Sequence, residues 1–268
     1  FDEIYELKPN QLQLGFLKVL KGSYMFEHAT EYGIVYHDKP PYEVMSTKWL
    51  SFDDVIKIKR VEEMLEVYYN SGQFEITMKL MECIFDSAFE FFQELGDFYE
   101  ANGYFGMSHS RIRRCEILLE FLALYLHGCD SDAITSVVLS ENAVDRENTD
   151  CDEHAIDREN AGENTDFDEN AQIYSMIQES LIFDLYYREN CKSRPVWATD
   201  IGSFKHMTHA YCKNGKLSHV EPFHYIFPDK HTRKLDELPK YHKEPVWALF
   251  HYDMRDPLDH QALVEYIE

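Results

Sequence analysis

The first fifty residues carry short runs of apolar positions of the kind found in β-strands. Gln11–Leu20 alternates polar and apolar side chains, and Tyr32–His37 is a second short apolar run. Pro40 and Pro41 follow, and two consecutive prolines remove backbone donors and keep the chain extended. We therefore predict an N-terminal strand segment.

From Ser51 onward, apolar residues recur with the spacing of an α-helix. Asp54 follows Ser51 by three residues, as in a capping box, and Asn70–Gly72 is expected to end this first helix. A second helix is predicted over Glu75–Ala101, and a third begins near Ser108. These helices predict a central helical bundle.

The segment Ser140–Asn170 differs in composition from the rest of the chain. It holds 12 acidic and two basic residues, and the six residues that start at Ala143 recur in similar form from Ala155. Such a tract cannot bury enough apolar surface to offset its ordering entropy, so we predict a mobile or weakly helical insertion. An acidic interaction arm is the alternative. A short helix is predicted just before it, over Ser131–Leu139.

Beyond the acidic segment, helical spacing resumes at Ile173 and ends by Pro195. His219–Phe227 and Pro245–Tyr252 predict two paired strands, and Asp259–Tyr266 predicts a final short helix. The predicted fold class is α+β and mostly helical, with an N-terminal strand segment, a central helical bundle and a small C-terminal β-hairpin region.

The net charge of −23 argues against two classes of partner. Phosphate binding needs clustered Lys and Arg, so nucleic acid is not expected, and the same charge opposes docking on anionic membranes. No apolar run approaches the roughly 20 residues that span a bilayer, and the acidic start of the chain is unlike a secretory leader. We therefore expect a cytoplasmic protein.

The positions of the cysteines and histidines limit which metal sites are possible. No two of the six cysteines lie within ten residues of each other, which excludes a Cys-x-x-Cys site and an iron–sulfur triplet. His206, His209 and Cys212 are spaced by three and would share one helix face, which makes them candidate metal ligands of a small metalloenzyme. Dispersed surface histidines are the alternative explanation.

Three segments, Gln11–Ser23, Pro40–Ser51 and Ile58–Phe74, resemble in order and spacing the C-terminal part of cobalamin-binding radical SAM proteins. Members of that family are often labelled magnesium-protoporphyrin IX monomethyl ester oxidative cyclase. In these proteins a cobalamin domain precedes a radical SAM barrel, and a helical C-terminal domain of unknown function follows. Leu181–Asp184 and Pro195–Trp197 are similar to the closing helix of that domain and its exit.

The resemblance implies a division of the chain into three parts. Residues 1–48 would be the terminal strands of the barrel, and residues 49–200 the helical domain, with the acidic insertion at about 140–170. Residues 201–268 would form a small α+β region. Because the chain begins at Phe1, we expect it to be a fragment of a longer enzyme.

The resemblance also implies where the chemistry lies. The cysteine triplet and the Asp-x-His-x-x-Gly cobalamin motif of the family are absent here, so no catalytic residue and no cofactor is assigned to this fragment. The parent enzyme would hold a 4Fe-4S cluster, S-adenosylmethionine and cobalamin. Lys18, Lys21 and Ser23 would lie at the barrel lip and face an anionic ligand, although ordinary loop positions explain them equally well.

Besides the small metalloenzyme, two hypotheses of function follow. The first is a non-catalytic accessory domain whose partners are the upstream barrel and cobalamin domain of the same polypeptide, and which closes the barrel or shapes access for a substrate or a partner. The second is a stand-alone acidic helical module that holds a basic protein. Under the first hypothesis, a barrel segment cut from its partners would expose strand edges, and these would allow a homodimer.

Overall fold

The computed structural model describes residues 1–127, 165–212, 217–228 and 231–267. The chain splits into two compact units: unit 1 is Phe1–Met107 with Arg233–Asp236, and unit 2 is Ser108–Thr232 with Glu237–Glu268. The predicted helix Ser131–Leu139 and most of the acidic segment lie outside the described residues. The boundary at Met107 falls within the stretch 49–200 that was assigned to one domain, and the three-part division stays a prediction.

Unit 1 combines helices with a small two-stranded antiparallel sheet. Its elements are α1 (Asp2–Tyr5), α2 (Tyr24–Glu27), β1 (Val35–Tyr36), β2 (Val44–Ser46), α3 (Phe52–Met64), a π-helix (Leu65–Asn70), α4 (Glu75–Ile84) and α5 (Ala88–Ala101).

The strand predicted over Gln11–Leu20 is wrong, although the segment is extended. It forms a single isolated bridge, between Lys18 and Glu43, and no regular ladder. The alternation of side chains did indicate an extended backbone, since Leu12 is buried between exposed glutamines. Periodicity reports the backbone conformation and not the partner: the backbone groups of Leu12 bond the Asn70 side chain instead of a strand.

The start and the end of the first predicted helix are confirmed. Ser51 Oγ accepts from the Asp54 amide at 3.1 Å, and an Asp54 carboxylate oxygen accepts from the Ser51 amide at 2.9 Å, which completes the capping box before α3. The helical path continues through the π-helix to Asn70. Gly72 follows with φ +59°, a conformation that glycine adopts without strain.

The single helix predicted over Glu75–Ala101 is wrong, because the chain breaks between α4 and α5. Ser87 is the N-cap of α5 and accepts from the Glu90 amide at 3.2 Å. The Asp2 carboxylate accepts from the Ser87 hydroxyl at 2.8 Å and from the Phe89 amide at 2.9 Å. These bonds satisfy backbone amides in the first turn of α5. In a continuous helix the same amides would be bonded to the preceding turn. The predicted end of the helix is confirmed, with Gly103 at φ +66°.

The core of unit 1 lies between α3, the π-helix and α5. Gly96 allows a close approach there, since a Cβ at that position would meet Arg60 Cβ at 3.0 Å. The Tyr68 and Tyr99 hydroxyls bond each other at 2.7 Å inside this core. The side chains that fill it are almost fully buried: Val61, Met64, Leu65, Tyr68, Phe92, Leu95 and Tyr99.

Unit 2 packs helices against a three-stranded antiparallel sheet whose order is β3-β4-β5. Its elements are α6 (Arg111–His127), α7 (Thr165–Arg188), a 3-10 helix (Ile201–Phe204), α8 (Lys205–Tyr211), β3 (Ser218–Tyr225), β4 (Tyr241–His251) and β5 (Leu263–Ile267). Phe183 on α7 is 2% exposed and packs its ring 5.2 to 5.7 Å from those of Phe223, Phe227 and Phe250.

The paired strands predicted in the last third are confirmed, but the predicted helix Asp259–Tyr266 is wrong. From Leu263 onward the chain forms β5, which pairs with β4 in the register Phe250↔Val264. Eight residues are too few for periodicity to separate a helix from a strand, and pairing with the free edge of β4 decides the outcome. The predicted α+β class is confirmed, with three C-terminal strands instead of a hairpin.

Candidate interaction surface

The residues predicted at the barrel lip lie beside α2. Lys18 forms the isolated bridge with Glu43, and Lys21 is exposed in the turn before the helix. Ser23 is the N-cap of α2, and its hydroxyl accepts from the Phe26 amide at 3.2 Å. The Ser23 side chain therefore has a structural task in helix capping.

The predicted metal ligands lie at and just after α8. His206 and His209 are exposed, and the His206 ring lies 6.1 Å from the Trp247 ring. Cys212 follows the helix, and burial raises the pKa of its thiol. Among the described residues, no group of three or more His, Cys, Asp or Glu side chains is arranged to hold a metal ion.

Unit 1 instead presents at its surface a cluster of four rings and one lysine, here called the aromatic face: Tyr24, His28, Tyr32, Lys48 and Trp49. Tyr24, Lys48 and Trp49 are exposed, and His28 and Tyr32 are half-buried. The Tyr24 and His28 rings stack at 3.9 Å, and the Tyr32 and Trp49 rings lie 6.0 Å apart. The Tyr24 and Tyr32 hydroxyls bond each other at 3.2 Å, which raises the pKa of Tyr32. Tyr24 is 59% exposed and Trp49 is 68% exposed.

Local backbone geometry fixes the aromatic face. The Lys48 amide donates to the Tyr32 carbonyl at 3.0 Å, beside Gly33 at φ +57°. Thr47 Oγ1 accepts from the Trp49 and Leu50 amides, both at 3.1 Å, and the Thr47 amide donates to the Leu50 carbonyl. This turn fixes the backbone at Trp49, whose side chain is exposed.

Lys48 is the only cation of the aromatic face. Its Nζ lies 4.3 Å from the centre of the Trp49 ring and 5.1 Å from that of Tyr32, within the range of cation–π attraction. Across the described ranges, Lys48 forms no ion pair with a carboxylate. Its charge is therefore compensated only by ring faces and solvent.

The stretch of sequence that contains the aromatic face is rich in exposed apolar side chains and close to electrically neutral. Residues 17–52 contain four lysines and four carboxylates, whose charges cancel in a chain with a net charge of −23. Large apolar side chains are exposed in the same stretch: Leu17, Leu20, Tyr24, Met25, Phe26, Val35, Trp49, Leu50 and Phe52. A neutral composition with exposed aromatic and apolar side chains is typical of surfaces that contact another protein.

Unit 2 contains a buried polar network that the sequence did not indicate. Arg194 donates to both carboxylate oxygens of Glu221, to the Tyr186 hydroxyl and to the Thr199 carbonyl. The His219 ring stacks on Tyr186 at 3.8 Å and bonds the same carboxylate through Nε2. The guanidinium uses every N–H in these bonds, so the network is a structural clamp between β3 and the segment after α7.

His224 forms a second polar link between β3 and α7. Its amide donates to one Glu179 carboxylate oxygen at 2.7 Å, and its Nδ1 lies 2.8 Å from the other. The hydrogen bond with Glu179 is the main cause that raises the pKa of His224, and partial burial opposes it. The ring also stacks on Tyr241 at 5.5 Å.

We expect this link to make the stability of unit 2 depend on pH. The folded pKa of His224 lies above its unfolded value of about 6.5, so its contribution is fully present below that pH and is lost as the pH rises through the folded pKa. Urea unfolding at a series of pH values measures how the free energy of unfolding changes with pH. His224→Gln should weaken the dependence of the free energy of unfolding on pH, and His209→Gln, at an exposed position, should leave it unchanged. An unchanged dependence in His224→Gln would contradict the role given to the His224–Glu179 bond.

None of the helices in the described ranges is long and apolar enough to cross a membrane. One protein family matches residues 30–262, and its description is a protein of unknown function (DUF4080). The match covers most of the chain, which therefore belongs to the DUF4080 family. Comparison with curated proteins and with solved structures gave no match.

Proposed function

We propose that this chain is a non-catalytic, cytoplasmic accessory domain at the C-terminal end of a cobalamin-dependent radical SAM enzyme. Its task is to close the barrel or to shape the access of a substrate or partner. The observation that carries the proposal is the concentration of exposed apolar side chains between Leu17 and Phe52. Much of this stretch belongs to the segments that resemble the end of such a barrel and the start of its appended domain.

The short strands of unit 1 support the proposal. β1 and β2 pair with each other, and in the described ranges neither pairs with a further strand. A terminal strand of a barrel needs neighbours, because a closed barrel leaves no strand edge open. Exposed apolar groups beside such short strands are those that a larger sheet would cover.

The cofactors belong to the parent enzyme in this proposal. The barrel would hold the 4Fe-4S cluster and S-adenosylmethionine, and the cobalamin domain would hold the corrinoid. The domain described here would contribute contacts and shape, and no reacting group. The lysines near α2, Lys18 and Lys21, would then lie near the joint with the barrel.

The test is to extend the reading frame upstream of Phe1, express the complete product without oxygen, and measure its iron, its cobalamin and its reductive cleavage of S-adenosylmethionine. We expect all three in the complete product and none in the 268-residue chain. A complete product with neither cofactor would contradict the proposal and favour the stand-alone interaction module.

A further inference from the structure

We infer that the aromatic face is the surface by which this domain holds the preceding part of the radical SAM barrel of its parent protein, and that this preceding part presents there an apolar surface with a carboxylate that pairs with Lys48. This inference rests on the proposed function and adds to it the contact and the chemistry of the partner. It concerns Tyr24, His28, Tyr32, Lys48 and Trp49.

The residue types and exposure of the aromatic face favour a protein partner. Trp and Tyr dominate the binding energy of protein interfaces, because a rigid ring buries a large area at a small entropy cost. Tyr24 and Trp49 keep more than half of their surface open to solvent, so this area is still free to be buried. Both of these exposed rings neighbour Tyr32, the Tyr24 ring at 6.5 Å and the Trp49 ring at 6.0 Å.

The aromatic face is also preorganised. The Thr47 turn fixes Trp49, the Lys48 amide is tied to the Tyr32 carbonyl, and the Tyr24 hydroxyl is tied to that of Tyr32. Binding then needs little further ordering, and ordering of loose side chains is one of the main costs of association. A solvent-exposed loop without such bonds would be a poorer docking surface.

Lys48 defines the charge of the partner. Its ammonium group lies over two rings and has no carboxylate partner among the described residues, so a carboxylate brought by the partner would complete its interactions. The local charges of residues 17–52 cancel, so an acidic group approaching here meets less repulsion than the net charge of −23 implies.

The same lysine argues against a second copy of this chain as the occupant. Two identical subunits related by a two-fold axis contact each other through the same patch. Such a contact would place two copies of Lys48 in one interface and would supply no carboxylate from the aromatic face, since none of its five residues is acidic. A different surface, which supplies the missing carboxylate, fits better.

Amide hydrogen exchange tests the inference. We expect the amides of Tyr24–Leu50 to exchange at least about ten-fold more slowly in the complete protein than in the 268-residue chain. Lys48→Glu and Trp49→Ala in the complete protein should each remove most of that difference. Lys57→Glu makes the same charge change at an exposed position of α3, and Leu258→Ala truncates an exposed side chain in unit 2, so neither should remove it.

Exchange of the α5 amides shows whether each variant keeps its fold. Equal exchange of Tyr24–Leu50 in the complete protein and in the 268-residue chain would overturn the inference, and so would equal effects of Lys48→Glu and Lys57→Glu. Protection that rises with the concentration of the 268-residue chain, together with a dimer in sedimentation, would overturn it in favour of a second copy. The iron and cobalamin content of the complete protein tests the proposed function independently of these exchange measurements.

Discussion

Replacement of Arg194 by methionine is expected to lower the free energy of unfolding of unit 2 by about 3–5 kcal/mol, the range for a buried pair that loses one partner. The Glu221 side chain is 1% exposed, and Arg194 is bonded to both of its carboxylate oxygens. Without the guanidinium, His219 Nε2 remains as a partner of this buried carboxylate. Burying a carboxylate without enough hydrogen-bond or charge partners raises the free energy of the folded state.

A double variant separates the cost of an unpaired charge from the loss of packing. Arg194→Met combined with Glu221→Leu removes both charges, and we expect it to regain most of the lost stability. Urea unfolding, followed by amide exchange in β3 and β4, measures both effects. A single variant as stable as the wild-type chain would contradict the prediction. So would a double variant no more stable than the single one.

The features that the sequence predicted correctly are set by neighbouring residues. The capping box needs only Ser51 and Asp54, three positions apart, so its geometry can be derived before any tertiary contact is known. The stops at Gly72 and Gly103 are local in the same way, because each needs only a residue that tolerates a positive φ. The pairing of β3 with β4 followed from two strand-like runs near each other in the chain.

The predictions that failed depended on distant partners. The break before Ser87 is stabilised by Asp2, 85 residues earlier, and helical periodicity across Phe85 carries no sign of that contact. The strand β5 exists because β4 has a free edge, which is a property of the sheet and not of residues 259–266. Local patterns cannot report either fact.

The candidate surface was only partly accessible to sequence reasoning. The sequence indicates Lys18, Lys21 and Ser23 as candidates in the N-terminal segment, but not Tyr24 and Trp49. Aromatic residues are usual in a protein core, so composition does not reveal that these two rings stay exposed. The buried ion pair was missed for a related reason, since Arg194 and Glu221 are 27 residues apart.

Asn70, at the end of the π-helix, makes a further long-range contact, with Leu12. We expect Asn70→Ala to destabilise unit 1 by about 2–3 kcal/mol. Its Nδ2 donates to the Leu12 carbonyl and its Oδ1 accepts from the Leu12 amide, both at 2.9 Å. One side chain thus satisfies both backbone groups of a buried residue. The adjacent Tyr69 hydroxyl donates to the Pro9 carbonyl at 2.6 Å, and Lys8 pairs with Glu82 at 2.5 Å.

The matched control is Asn102→Ala, which removes an exposed asparagine whose side chain, within the part of the chain that the structure describes, bonds the Phe98 carbonyl of its own helix. We expect this control to stay within about 0.5 kcal/mol of the wild-type chain. Asn70→Asp should not restore stability, because it keeps the acceptor but sets a carboxylate oxygen against the Leu12 carbonyl. Chemical unfolding and amide exchange at Leu12 measure the effects. If Asn70→Ala is no less stable than Asn102→Ala, the N-terminal segment does not depend on this amide, and the contacts of Tyr69 and Lys8 suffice to hold it.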